Sequence, residues 1–175
     1  MRRLTLALPL LAACTTLAEP DPCEGATTLD IALATPSSGS CVALSDMEQG
    51  TAGLINDYRD GQCLVPLVLD ACVAEIARAH SQDMSDGSVA FGHDGFDDRA
   101  AAIIELLPSS IVVGENVAMN QGYADPSQTA YEGWLNSPPH LENIETPEYN
   151  LTGMGVVEDA TGGFWFTQLF VGVQD

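Results

Sequence analysis

From residue 45 onward the apolar positions follow two rhythms, one helical and one alternating. Ser45 is followed three places later by Glu48, the spacing at which each side chain can bond the other's backbone N–H and open a helix. Met47, Leu54, Ile55 and Tyr58 then share one face of that helix, which stops at Asp60-Gly61. Asp70 is placed to cap a second helix, where Val73, Ile76, Ala77, His80 and Met84 recur before Gly87 ends the run. Asp97 is expected to cap a third through about Leu107, carrying Ile103 and Ile104. Asp125-Pro126-Ser127-Gln128 supplies a cap, a proline at the first helical position and a glutamine at the third, so a fourth runs to about Asn136.

Strand-like runs lie between the helices: Ile111 to Val113, Gly153 to Val157 and Phe164 to Val171. In the last, Phe164, Phe166 and Phe170 alternate with Trp165, Leu169 and Val171, so both faces are largely apolar. That suits a central strand covered on both sides by helices. The interleaving lacks a strand–helix–strand rhythm, which predicts a mixed α+β sandwich rather than a doubly wound sheet. Phosphate-binding glycine loops and zinc-knuckle cysteine spacings are absent.

The chain before residue 45 is of another kind. Met1-Arg2-Arg3 and the apolar Leu4 to Leu11 read as a secretory signal, too short to span a bilayer as a helix. Leu11-Ala12-Ala13-Cys14 resembles the bacterial lipoprotein box, which makes residues 1–13 a signal peptide and Cys14 the lipid attachment point. Cleavage after Ala18 is the alternative, with a secreted product. Residues 14–44, rich in Pro, Thr, Ser and Ala, read as a tether before a folded domain over 45–175. Setting Cys14 aside leaves an even set of cysteines in an oxidising compartment. Of the three possible pairings, Cys23–Cys41 with Cys63–Cys72 closes the shortest loops and is the expectation.

Charge narrows the partners. There are 25 acidic residues and no lysine, and past the signal only Arg59, Arg78 and Arg99 are cationic. Such a chain repels phosphate backbones and anionic headgroups, so nucleic acid is excluded and the only membrane contact expected is the N-terminal lipid. A saline habitat, or the collection of divalent cations, would account for the excess.

Three residues stand out for chemistry. His93 lies between glycines in Phe91-Gly92-His93-Asp94-Gly95, where backbone freedom suits a side chain that must be aimed. Glu115 sits between Gly114 and Asn116 beside apolar Val112, Val113 and Val117, so it needs a cation or hydrogen bonds. In so arginine-poor a chain, a histidine or a metal ion is the expected partner. His140 follows two prolines at the end of the fourth helix. His80, on a helical core face, reads as a packed histidine, and Glu132 as solvated.

Taken together, Ala77 to Met84, Phe91-Gly92-His93, Gly114-Glu115-Asn116, Trp134 to His140 and Phe164 to Phe170 resemble the bacterial branch of the CAP superfamily. That superfamily comprises cysteine-rich secretory, antigen 5 and pathogenesis-related type-one proteins, also called SCP-like extracellular proteins. The resemblance implies a three-layer α-β-α sandwich with a cleft, and matches His93 and Glu115 to two of four cleft residues that hold a divalent metal in eukaryotic relatives. The other two places are Ser137 and Trp165 here. His140 is typical of the bacterial segment and can reach the same cleft. Three functions are then open. One is a non-enzymatic envelope protein binding a small, lipid-like ligand or a divalent metal. A second is a hydrolase with His93, His140 and Glu115 as catalytic residues or zinc ligands. In the third, the same set is purely structural.

Overall fold

The computed structural model describes Cys23 and residues 40–174. The signal peptide, Cys14 and most of the tether lie outside these described residues. Helix α1 (Asp46–Gly61) opens with the expected reciprocal cap between Ser45 and Glu48. Glu48 does more than cap: fully buried, it takes Arg78 Nε and Nη2 at 2.8 Å each and the N–H of Val156 at 3.2 Å. One carboxylate thereby joins three elements.

Strand β1 (Val68–Leu69) precedes α2 (Ala71–Ser85), whose cap Asp70 accepts the N–H groups of Cys72 and Val73 through one oxygen. Helix α3 (Phe96–Leu106) begins one residue before the expected cap: Gly95, at φ 78°, makes the entry turn and Asp97 falls inside the first turn. Strand β2 (Ser110–Gln121) is much longer than the apolar triplet Ile111–Val113 suggests. Helix α4 (Pro126–Leu135) starts as expected on Asp125 and Pro126. A fifth helix, α5 (Pro138–Glu145), begins at the two prolines expected to follow the end of the fourth. Pro138 and Pro139 begin it without cost, because first-turn N–H groups have no helical partner. Strands β3 (Leu151–Glu158) and β4 (Gly163–Val173) complete the domain.

The sheet order is β1-β3-β4-β2, with β4 antiparallel to both neighbours and β1 parallel to β3. Alternation along β4 sorts its side chains into two cores. Phe166 and Phe170 pack with Ile55, Trp134 and Ile144 beneath α1, α4 and α5. Leu169 and Val171 pack with Val73, Ala77 and Ile103 beneath α2 and α3. The result is a three-layer α-β-α sandwich with β4 central. Helix α2 lies unusually close to β3, because a Cβ on Gly153 or Gly155 would strike the backbone of Val73–Ala74 or Ala77–Arg78.

The disulfides correct the expected pairing. Cys23 joins Cys63, with Cα atoms 5.4 Å apart, and Cys41 joins Cys72 at 5.1 Å. Loop-closure entropy rises only about 0.6 kcal/mol per doubling of length, too little to choose a pairing. Native placement decides instead. Cys63 follows the end of α1, Cys72 lies in the first turn of α2, and β1 runs between them paired to β3. Each tether cysteine therefore bonds the domain rather than the tether.

Candidate functional site

Strand β2 forms one edge of the sheet, and its alternating side chains feed two helical layers. Glu115 points toward α3, while its neighbour Asn116 points toward α5. The cleft forms where the two layers meet over this edge.

On the first side, Glu115 is 6% exposed and both of its oxygens are engaged. Arg99 of α3 donates from Nε to Oε2 at 2.7 Å and from Nη2 to Oε1 at 2.8 Å, a bidentate pair. His93 Nδ1 lies 2.9 Å from Oε1, with half of its side chain exposed. The loop carrying His93 is held twice more: Arg99 Nη1 donates to Asp94 O at 2.9 Å, and His80 Nε2 lies 2.9 Å from Gly92 O. His80 is thus a packed histidine that also secures the loop of His93.

On the other side, Asn116 donates to the backbone oxygen of His140 at 3.0 Å. Asn143 donates both to Asn116 Oδ1 at 2.8 Å and to Glu115 O at 3.1 Å. The ring of His140 then stands 6.4 Å from that of His93, centroid to centroid. Burial pushes the His140 imidazole below its ordinary pKa, and the facing His93 adds to the effect. His140 Nδ1 is buried with no hydrogen-bond partner among the described residues.

All three sequence-predicted residues thus meet in one place. Arg99 is the partner that sequence reasoning missed. The signal was arithmetic: with only three arginines beyond Arg3 among so many acids, each is expected where an acid or a carbonyl is buried. The other two are also committed internally, Arg78 to Glu48 and the fully buried Arg59 to the carbonyls of Val65, Ile144, Thr146 and Tyr149.

The donor set does not fit a resident metal ion. A cation beside Glu115 would have to displace the guanidinium that already holds both oxygens. Among the described residues no group of three or more His, Cys, Asp or Glu side chains is arranged to hold one. A hydrolytic reading also lacks an activated nucleophile, since no described residue bonds the Ser137 hydroxyl. Trp165, at the other altered place, donates Nε1 to Asp159 at 2.9 Å and meets Phe91 edge-on at 6.2 Å.

From His140 a groove of about 360 Å³ runs over the edge of β2 between Phe91 and α4. Val117, Ala118, Met119 and Asn120 form one wall, and Ala130, Gly133 and Trp134 the other. Trp134 Nε1 donates to Val117 O at 2.9 Å. Phe91, Met119 and Tyr123 stand 56%, 48% and 60% exposed along the rim. Asn120 Oδ1 is buried without a partner among the described residues.

A profile of the cysteine-rich secretory protein family (CAP) matches residues 52–170. Bacillus subtilis (strain 168) YkwD, itself uncharacterized, is 35% identical over 134 residues, covering 74% of this chain and 49% of YkwD. An extracellular protein with an SCP domain from Bacillus anthracis superposes with a TM-score of 0.60 at 26% identity, over 77% of this chain and 45% of that one. An outer surface protein of Borrelia burgdorferi superposes at 0.61 and 16% identity, over 78% and 99% of the two chains, a likeness of fold alone. The chain spans about half the length of YkwD and of the Bacillus anthracis protein.

Proposed function

The chain belongs to the cysteine-rich secretory protein family, and from that premise we propose that it is an exported, non-enzymatic binding module of the cell envelope. Its ligand lies in the groove beside His140, without a metal. One contrast carries this reading. Glu115 is saturated by Arg99 and His93, whereas His140 Nδ1 and Asn120 Oδ1, both on the groove, have no described partner. A buried polar atom left unpaired costs about 1–3 kcal/mol, so a fold that keeps two under the lining of one groove gains hydrogen bonds when that lining parts to admit a ligand. Export and anchoring rest on the lipoprotein-like box ending at Cys14. The Bacillus anthracis relative named an extracellular protein supports export. No helix among the described residues is long and apolar enough to cross a membrane.

Nile red, an uncharged apolar dye, tests the groove. Its emission should rise on binding and fall back in Gly133→Leu, a variant that fills the groove from α4. Equal emission from both proteins refutes the reading. Zinc added to the purified protein should leave the imidazole signals of His93 and His140 in place, and joint perturbation of the two would restore the metal site. A Cys14→Ser variant should leave the membrane fraction, and unchanged association would refute the anchor.

A further inference from the structure

We propose that the groove takes an extended, cationic peptide segment, which pairs with the uncovered stretch of the β2 edge at Met119 and runs between Tyr123 and His140; this rests on the binding reading above. Four observations converge on that class of ligand.

The first is the backbone. Strand β2 pairs on one side only, with β4. On its open side Asn143 covers Glu115 O and Trp134 covers Val117 O. Peptide groups in a strand alternate in direction with a period of two, so Met119 comes next with the same orientation. No described residue bonds its peptide group there. An added strand pairs through such groups.

The second is the pair of buried atoms. Asn120 is 7% exposed, and its Nδ2 donates to Pro126 O at 2.9 Å, which fixes Oδ1 as an acceptor needing a donor. A peptide N–H meets that need once the lining over the buried oxygen parts. His140, at the far end, offers one acceptor or one donor.

The third is shape. The α4 wall is built from Ala130 and Gly133, and a Cβ added to Gly133 would meet nothing within 4 Å. The small residues of this wall leave room beside β2 for another main chain.

The fourth is charge. Asp125 at the cap of α4, Glu132 beside Gly133 and Asp94 beside His93 are exposed around the groove without lining it, while all three described cations are bound internally. A carboxylate-bearing ligand meets no free positive charge here, and a lysine- or arginine-flanked peptide meets only opposite charge.

The test uses three probes against the disulfide-intact protein: a fluorescent peptide of alternating valine and threonine flanked by lysines, the same peptide flanked by glutamates, and oleyl alcohol. Polarisation should show the lysine peptide binding at least about tenfold more tightly than the glutamate peptide, with the advantage shrinking as salt rises. The amide signals of Met119 and Gln121 and the indole signal of Trp134 should move together. Gly133→Leu should weaken the lysine peptide by about tenfold while leaving the thermal midpoint unchanged or higher, since leucine favours helix over glycine. Displacement of Nile red by oleyl alcohol but by neither peptide overturns the peptide and leaves the binding groove standing. Equal binding of both peptides overturns the charge argument. No binding of dye, peptide or alcohol overturns the groove itself.

Discussion

Removing the guanidinium of Arg99 would leave Glu115 buried against His93 alone. Breaking one side of a buried pair costs about 3–5 kcal/mol, so Arg99→Met should lower unfolding stability by an amount near the lower end of that range in urea titrations. Adding Glu115→Gln to the same chain should recover part of the loss, because the orphaned charge goes with it. A double variant no better than the single would show that packing, not charge, holds the cleft. His140 supports a second prediction, about pH. Its imidazole is held below the ordinary value of 6.5 by burial first and by His93 second. The unfolded chain therefore takes up a proton before the folded one does, and stability falls as pH drops from about 6.5 toward the folded pKa. Above that window the contribution is full. Thermal midpoints between neutral and mildly acidic pH should show this slope, and His140→Phe should flatten it. At this scale His93, Glu115 and His140 were legible in the sequence because each stood in a distinctive local setting. Arg99 was not: sixteen residues from Glu115, it meets the carboxylate only when α3 folds against β2.

Helix starts were legible because capping chemistry is local. Ser45 with Glu48, Asp70, and Asp125 with Pro126 each act within four residues of themselves. Helix α5 escaped notice because two prolines read as a stop, although in the first turn they remove only N–H groups that would be unpaired anyway. All of strand β2 beyond Val113 escaped for a different reason. Gly114, Glu115, Asn116 and Asn120 break its apolar pattern, since its side chains serve the cleft and its supports as well as a core. The α2–β3 contact gives the sharpest prediction at this scale. Gly155→Ala places a methyl against the backbone of α2 at Ala77 and Arg78, where no flexible side chain can yield. It should destabilise the domain by about 1–3 kcal/mol or more, as overpacking does, and a circular-dichroism melt at or above the parent midpoint would contradict the packing described. The same change at Gly133, which faces open space, should be neutral or mildly stabilising.

Across the whole molecule a mixed sandwich with β4 central could be anticipated from order and alternation, and the family with its three layers from the resemblance of the motifs, but the disulfide pairing could not. Pairing depends on which segments the fold brings side by side, and loop length says little about that. Peptide mapping without reduction should join Cys23 to Cys63 and Cys41 to Cys72. Removing the second bridge through Cys41→Ser with Cys72→Ser should cost about 2–4 kcal/mol in denaturant titration. These bridges flank β1, at one margin of the sheet, while the groove opens at β2, the opposite margin. Three strand spacings of about 4.8 Å separate the two. Both bridges thus fasten Cys23 and Cys41 on the side of the sheet away from the His93 loop, so cutting either one acts at a distance from the groove.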